Sequence, residues 1–191
     1  DLDPSLLEAA SIVYLEGYLF DRIEAKDAFK KAARLARKSG AKVALTLSDA
    51  FCVDRHRDDF RELIRQGTGI VFANEKEITS LYEVNSFAEA ADAVLADCEL
   101  AVLTRSEEGS VIVANGGTIA IALEPGRKVV DVTGAGDLYA SGFLYGLTQG
   151  LPLETCGRLG SLAAAEVIGH IGARPETSLR ELAQERGLLG D

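Results

Sequence analysis

The stretch "DVTGAGDLYASGF", residues 131–143, places two glycines around an alanine, directly before an acid and an apolar run. The apolar run predicts a helix over 135–149, and the preceding "KVVD" (128–131) predicts the end of a strand. A strand that leads through a glycine-rich loop into a helix is typical of a parallel α/β sheet, in which ligands collect beyond the carboxyl ends of the strands. The sequence therefore predicts an α/β fold with a ligand site at this loop.

The loop residues suit an anion. Gly134 and Gly136 leave the backbone around Ala135 unshielded, so N–H groups can approach a phosphate at the positive end of the helix dipole. Asp137 follows in the first turn, where phosphoryl transfer needs a group that orients and deprotonates a hydroxyl. The alternative is that the glycines only form a tight turn and Asp137 only complements the dipole. The loop lacks the lysine of G-x-x-x-x-G-K-[ST] and the spacing of G-x-G-x-x-G.

Outward from this loop, short β-branched runs alternate with amphipathic ones. The runs predict strands at 11–15, 42–47, 69–74 and 100–105, and helices at 24–40, 58–67, 75–82, 86–98 (with Ser86 as N-cap) and 154–170. Residues 110–123 predict an edge hairpin around an Asn-Gly-Gly turn. This alternation indicates one mostly parallel sheet with helices on both faces.

The composition argues against several classes of function. The 191 residues are 47% hydrophobic and 26% charged, with a formal net charge of −10, which argues against nucleic-acid binding and against docking on an anionic membrane. Three cysteines without a C-x-x-C pair argue against a disulfide framework or zinc site and favour a reduced, cytoplasmic setting. The chain has no methionine and starts at Asp1, so we expect a piece of a longer protein.

Three motifs in order resemble the ribokinase-like (PfkB) family of sugar and nucleoside kinases. "DVTGAGDLYASGF" is similar to the family's C-terminal signature, "FANEKE" (72–77) to its Asn-x-x-Glu motif, and "VLTRSEEGS" (102–110) to its nucleotide-contacting turn, with Ser106 in place of a frequent glycine. The resemblance implies a three-layer ribokinase-like fold and makes residues 1–191 its C-terminal, nucleotide-binding portion, without the N-terminal strands and lid. It also implies that the lid, through which members of the family dimerise, is missing, and that this piece alone turns over poorly.

The resemblance also assigns roles. It makes Asp137 the catalytic base, with Gly134, Ala135 and Gly136 as the anion hole for the γ-phosphate of ATP. It implies the following further contacts: Asn74 and Glu77 for Mg²⁺ and phosphates; Thr104, Ser106, Gly109 and Ser161 for nucleotide; Asp131, Thr133, Val167, His170 and Gly172 for a monovalent cation such as K⁺. From the residues alone, Asn74 and Glu77 could equally cap a helix, and 104–109 could be only a turn.

The acceptor is indicated by "LTLSDAFCVDRHRDDF" (45–60). Sugar kinases of the family commonly carry Asp-x-Asn-x-Arg here, whereas this chain has Asp49 but Phe51 where the asparagine would stand, and Arg55 comes too late. The Leu-Ser-x-x-Phe pattern resembles adenosine kinases, and an aromatic ring suits a stacked purine. A nucleoside is therefore the favoured acceptor and a hexose or pentose the alternative. A catalytically silent nucleotide-binding member is the rival outside the enzymes, and an oxidoreductase is disfavoured by the missing dinucleotide motif.

Overall fold

The computed structural model describes residues 2–125 and 128–190, so Asp1, Gly126, Arg127 and Asp191 of the predicted range 1–191 lie outside the described residues. The chain divides into two compact units. The first unit comprises Asp1–Leu103 with Val113–Gly117, and the second comprises Thr104–Ile112 with Thr118–Asp191. The predicted site residues Asn74 and Glu77 belong to the first unit, and the other predicted site residues belong to the second.

The described strands form one six-stranded sheet in sequence order. Their bounds are β1 Ile12–Glu16, β2 Lys42–Thr46, β3 Ile70–Asn74, β4 Leu100–Thr104, β5 Ser110–Ala114 and β6 Gly117–Ile121. The strands predicted at 11–15, 42–47, 69–74 and 100–105 and the hairpin are confirmed, and the hairpin lies at one end of the strand order as expected. Strands β1 and β2 are parallel, with Glu16 opposite Thr46, and β2 and β3 are parallel, with Thr46 opposite Phe72.

Helices connect these strands and follow the hairpin. Their bounds are α1 Pro4–Ala9, α2 Ile23–Ser39, α3 Ala50–Arg65, α4 Glu75–Tyr82, α5 Phe87–Asp97, α6 Ala135–Thr148, α7 Leu153–Val167 and α8 Leu179–Glu185. Among the residues that the structure describes, no helix has the length and apolar character needed to cross a bilayer.

The first unit has its core between the parallel strands and α2 to α5. Strands β2 and β3 are buried along nearly their whole length, as central parallel strands are when helices cover both faces. Phe20 stacks on Phe60 with ring centroids 4.3 Å apart and meets Phe29 edge-on at 5.4 Å. Because all three rings are buried, they contribute much of the apolar area that stabilises this unit.

The second unit is built on the close packing of α6 and α7. A Cβ added to Gly142 would lie 2.5 Å from the Leu159 carbonyl oxygen, and one added to Gly160 would lie 2.7 Å from that of Tyr139. The small residues therefore let the two helix backbones touch. The Tyr139 hydroxyl also shares a buried hydrogen bond of 2.6 Å with the Ser110 hydroxyl, which ties α6 to the start of β5.

Three predictions of secondary structure are wrong. Residues 128–131 form no strand: the N–H groups of Val130 and Asp131 both donate to one carbonyl, that of Ile168, instead of joining a ladder. The helix predicted at 58–67 begins at Ala50, because the Asp49 side chain accepts a hydrogen bond from the Cys52 N–H and starts it earlier. The helix predicted at 154–170 ends at Val167, and the following residues turn.

Candidate active site

The start of α6 has no side-chain cap. Its N-cap residue, Gly134, has a left-handed backbone (φ 79°, ψ 0°) and offers no side chain to the first helical N–H groups. A Cβ at this position would lie 2.7 Å from the Ala173 Cβ, so both the backbone conformation and the available space require glycine. The local structure thus requires glycine at position 134, in addition to the predicted role of this residue in a ligand loop.

Part of this helix start is open to solvent. The Ala135 N–H donates to the Val132 carbonyl (3.1 Å) and the Leu138 N–H to the Gly134 carbonyl (2.9 Å). Within the described ranges, the N–H groups of Gly136 and Asp137 have no protein acceptor, as helix geometry leads one to expect of a first turn. Both residues are exposed, and nothing lies within 4 Å of a Cβ added to Gly136. This arrangement can accept an anion at the positive end of the helix dipole.

The loop before α6 is held by Asp131. One carboxylate oxygen accepts hydrogen bonds from the Thr133 N–H (2.9 Å) and hydroxyl (2.7 Å), and the other accepts from the Gly172 N–H (3.0 Å). These bonds, that from Gly172 foremost, lower the pKa of Asp131 to about 2. The structure therefore brings Asp131, Thr133 and Gly172 together.

The side chains of Val167 and His170, which lie near that group in the chain, have contacts of their own. Val167 is fully buried in the core, and the His170 ring nitrogen Nε2 lies 3.4 Å from Glu166 Oε2. Burial lowers the pKa of His170, but the hydrogen bond with Glu166 and the Ile171 carbonyl outweigh it, so the pKa of His170 is raised. Their side chains are thus engaged by the protein.

The turn after β4 has a strained backbone. Ser106 and Gly109 both have positive φ angles, 50° and 80°, and a Cβ on Gly109 would lie 2.2 Å from the Ile121 carbonyl oxygen. The Arg105 N–H closes the turn onto the Gly109 carbonyl at 2.8 Å. Thr104 ends β4 and is half-buried at the start of this turn. The geometry explains glycine at position 109 without a ligand.

Ser161 is buried on α7, and its hydroxyl is used by the backbone after β6. The hydroxyl accepts from the Glu124 N–H (2.9 Å) and approaches the Ala122 carbonyl (3.5 Å). Beside it lies a cavity of about 270 Å³, lined by Glu124, Pro125, Leu162, Ala165, Glu166, Leu182 and Arg186. Ser161 therefore shapes the segment 122–124 next to a cavity.

In the first unit, α4 starts with a complete capping box. The Asn74 side chain accepts from the Glu77 N–H (2.9 Å), and the Glu77 carboxylate accepts from the Asn74 N–H (2.9 Å) and from the Asn74 side-chain amide. The Glu77 residue is only 5% exposed, and its burial, together with the charges of Asp49 and Glu16, raises its pKa to about 7. Both residues thus have a capping role, which the sequence left open.

Sequence reasoning missed a polar network at the ends of β1 and β2. The Ser48 hydroxyl donates to the Glu16 carboxylate and accepts from the Tyr18 N–H (3.1 Å), and Ser48 has a positive φ of 73°. Tyr18 hydrogen bonds with Asp49, and burial foremost raises its pKa. Gly17 permits this contact, since a Cβ there would lie 2.6 Å from the Thr46 carbonyl oxygen. The signal was the Glu-Gly-Tyr turn directly after a strand.

Another cluster in the first unit brings together Asp21, Cys52 and His56, whose ligand atoms lie within 4.8 Å of one another. Lys26 Nζ lies 3.0 Å from His56 Nδ1, and Arg55 donates two hydrogen bonds to Asp21. Two cationic groups on the donor set oppose a further cation, so this is an ion-pair cluster that holds α3 against the turn at 17–21. All three cysteines of the chain are free and buried.

An α/β fold with an open, glycine-bordered helix start beside an exposed acid is typical of proteins that bind phosphate-bearing ligands. Residues 1–179 match the family described as pfkB family carbohydrate kinase. The chain belongs to this family, which confirms the resemblance and the ribokinase-like α/β fold.

Relatives with assigned names include both nucleoside and sugar kinases. The adenosine kinase of Saccharomyces cerevisiae is 30% identical over 179 residues, which cover 87% of this chain and 52% of that protein. The cytidine kinase of Thermococcus kodakarensis is 35% identical over 144 residues, which cover 72% of this chain and 51% of that protein. The chain spans about half the length of the curated relatives it matches.

Solved structures with kinase names have the same fold as this chain. A probable sugar kinase from Rhizobium etli CFN 42 superposes with a TM-score of 0.96 at 49% identity, covering 99% of this chain and 58% of that chain. The adenosine kinase from Sinorhizobium meliloti superposes with a TM-score of 0.94 at 48% identity, covering 97% of this chain and 57% of that chain.

Proposed function

We propose that the full-length protein is a cytoplasmic, ATP-dependent kinase that transfers the γ-phosphate to a hydroxymethyl group of a nucleoside similar to adenosine. The observation that carries the proposal is the uncapped start of α6, where the N–H groups of Gly136 and Asp137 are open beside an exposed carboxylate. Family membership and relatives named as kinases support it.

In this proposal the loop Gly134–Ala135–Gly136 forms the anion hole. Its open N–H groups and the helix dipole stabilise negative charge on the transferring phosphoryl group. Asp137 is the base that orients the acceptor hydroxyl and takes its proton as the oxygen attacks the γ-phosphorus, while the bond from that phosphorus to the β,γ-bridging oxygen breaks and ADP leaves. An exposed carboxylate in the first turn of α6 suits this role because it can be reached by substrate.

Thr104, Ser106, Gly109 and Ser161 are the proposed nucleotide contacts. For Mg²⁺, which would neutralise charge on the phosphates when bound with ATP, the proposed residues are Asn74 and Glu77. These residues fit a hard cation. The negative charges of Asp49 and Glu16 act on the buried Glu77 carboxylate, and surroundings rich in such oxygens favour Mg²⁺.

For a monovalent cation, we propose the segments that contain Asp131, Thr133, Val167, His170 and Gly172. Asp131 fits this role in part, because its carboxylate stays ionised to about pH 2. Both of its oxygens already accept protein hydrogen bonds, so backbone carbonyls would supply most of the remaining ligands.

A nucleoside acceptor is supported by exposed aromatic rings at the carboxyl ends of β1 and β2. Phe51, in the first turn of α3, is 76% exposed, and Tyr18 is 55% exposed. Exposed rings of this size are available to stack on a base, which typically contributes about 1–3 kcal/mol. Two relatives named above phosphorylate nucleosides according to their names, adenosine kinase and cytidine kinase.

A sugar acceptor is the second candidate, and the network of Glu16, Ser48 and Asp49 favours it. Carboxylates and a hydroxyl at two neighbouring strand ends are the groups that bind the several hydroxyls of a polyol. The ribose of a nucleoside would use the same groups, so the aromatic rings are what favours a nucleoside over a sugar in this proposal.

The kinase is tested with the full-length protein, ATP, Mg²⁺ and a panel of adenosine, cytidine, ribose and fructose. We expect Asp137→Asn to lower turnover on the accepted substrate by about 10²–10⁴-fold while nucleotide binding changes little, because the base is lost and the anion hole remains. Glu154→Gln is the matched control, since it neutralises an exposed acid in the first turn of α7. Wild-type turnover by the Asn variant would show that Asp137 is not the base.

The acceptor class is tested with Phe51→Ala. If the ring stacks on a base, the KM for adenosine rises about ten-fold or more while the KM for ribose stays within two-fold. The ring is solvent-exposed, so the variant should unfold at the wild-type temperature. Equal changes for both substrates would favour the sugar acceptor.

A further inference from the structure

A carboxylate is buried near the end of α7. The Glu166 side chain is 3% exposed on a helix whose neighbouring residues are mostly small and apolar. Burying a charged group is costly unless its oxygens are paired. Glu166 Oε1 accepts from the Thr177 hydroxyl (2.9 Å), the Thr177 N–H (3.1 Å) and the Glu176 N–H (3.1 Å), while Oε2 lies 3.4 Å from His170 Nε2. The burial is therefore matched by hydrogen bonds.

These bonds hold a segment that has no regular structure of its own. Residues 168–177 form neither helix nor strand, so no repeating backbone ladder fixes their path. Glu166 contacts the segment near both of its ends, at His170 and at Thr177. The carboxylate thus determines how the chain turns between α7 and α8. Although burial raises the pKa of Glu166, hydrogen bonds from Thr177, His170 and Glu176 outweigh it, so its pKa is lowered.

The middle of the same segment supports the loop before α6. The Gly172 N–H donates to Asp131 (3.0 Å), and Ala173 lies so close to Gly134 that a Cβ there would meet it at 2.7 Å. At the start of the segment, the Ile168 carbonyl accepts from the Val130 N–H at 2.8 Å. The loop that ends in the open N–H groups therefore rests on a segment held by Glu166.

We propose that Glu166 is a positioning residue that fixes the open start of α6 through residues 168–177. It acts by holding Gly172 and Ala173 against Asp131 and Gly134, and it does not touch the reacting groups. The kinetic part of this inference rests on the proposed function. Its structural part, the coupling of 168–177 to 131–137, does not.

The test uses hydrogen–deuterium exchange of the full-length protein and its Glu166→Ala variant. We expect amide exchange about ten-fold faster in 168–177 and also in 131–137, with wild-type exchange in β1 to β3. Asp97→Asn is the matched control, because it alters a largely buried, ion-paired carboxylate of the first unit. Faster exchange confined to 168–177 would overturn the coupling, whether or not the protein is a kinase.

Kinetics then tests positioning as distinct from stability. In Glu166→Ala we expect kcat to fall about 10–100-fold with the KM values within three-fold, and Glu166→Gln to recover much of the kcat because its carbonyl oxygen still accepts from Thr177. A change confined to the KM for ATP would instead assign Glu166 to nucleotide binding, and unchanged kcat in a folded variant would also overturn the proposal. If Glu166→Ala does not fold, Thr177→Val removes only the 2.9 Å bond, and we expect kcat to fall about two- to five-fold. Wild-type kcat in that variant would likewise overturn it.

Discussion

Helices α4 and α6 each carry an acid in the first turn, yet their first turns differ. Helix α4 begins at a capping box, in which Asn74 and Glu77 satisfy each other's N–H groups. Helix α6 begins at Gly134, which has no side chain, and leaves the N–H groups of Gly136 and Asp137 open. A capped start stabilises the helix, whereas an uncapped start leaves donors for a ligand.

An acid in the first turn of a helix can therefore have different roles in α4 and α6. Glu77 is buried and turned back onto its own helix, while Asp137 is exposed. Helices α3, α5 and α8 also begin with a side chain that accepts from the first turn, at Asp49, Ser86 and Ser178. The open start of α6 therefore differs from these helices, and substitutions at the two kinds of start should have different effects.

The largest expected effect is on turnover at the open start. Gly136→Ala adds a methyl group where nothing lies within 4 Å, so we expect the variant to fold, with a stability gain of about 0.5–1 kcal/mol from the better helix former. If phosphate approaches these amides, the methyl group lowers kcat about 10–100-fold, somewhat less than the roughly 10²–10³-fold loss when an oxyanion-hole donor is removed outright. Steady-state kinetics and thermal unfolding together measure this. A more stable variant with wild-type kcat would contradict the anion hole.

Gly134→Ala is expected to act on stability instead. The left-handed backbone and the contact with Ala173 both oppose a Cβ, so we expect the free energy of unfolding to fall by about 1–3 kcal/mol. Urea unfolding measures the change. Gly150→Ala is the control for strain alone, since Gly150 also has a positive φ but no neighbour within 4 Å. Equal losses in both variants would show that the Ala173 contact adds nothing.

The capped start should respond to pH. Because the pKa of Glu77 is raised from 4.5 to about 7, its contribution to stability is fully present below about pH 4.5 and is lost as pH rises through about 7. Glu77→Gln keeps an acceptor for the capping box without this loss. We expect the variant to gain on the order of 2–3 kcal/mol over wild type between pH 5 and pH 8 in chelator, because about two of the pKa units between 4.5 and 7 fall in this range at about 1.4 kcal/mol each.

Unfolding of both proteins at the two pH values checks this, with Glu89→Gln in the exposed capping box of α5 as the matched control. A stability difference between Glu77→Gln and wild type that stays constant with pH would contradict the raised pKa.

The smallest expected effect is at α5. Ser86→Ala removes the acceptor for the Glu89 N–H and should cost about 1 kcal/mol, measured by urea unfolding. Ser86→Asp, which keeps an acceptor, should restore most of it. If Ser86→Ala left the free energy of unfolding unchanged, capping would contribute little to the stability of this protein, which would weaken the contrast between α4 and α6.

Local patterns predicted the parts of the fold that depend on local interactions. The strand runs, the hairpin turn, the Ser86 cap and the start of α6 all follow from neighbouring residues, and the structure confirms them. The strand predicted at 128–131 was wrong. Its β-branched residues favour extended backbone, but a strand also needs a neighbouring strand with free hydrogen-bonding groups.

The candidate site was predictable only where a motif lies in one segment. The Gly134–Asp137 loop and the Asn74–Glu77 pair could be read directly. The Glu16–Ser48–Tyr18 network and the role of Glu166 could not, because their partners are about 10 to 32 residues apart in the chain and meet only after folding. Nor could the sequence tell that the Ser161 hydroxyl is used by the backbone at Glu124.

The hydrogen bond between Ser110 and Tyr139 restricts how these two positions can diverge. Each hydroxyl is buried and has the other as its partner, so replacing one alone leaves a polar atom without its bond in the core. Replacing both, as in Ser110→Ala with Tyr139→Phe, removes donor and acceptor together and is expected to cost much less than either single change. Among descendants of this sequence, the two hydroxyls should therefore be kept or lost as a pair.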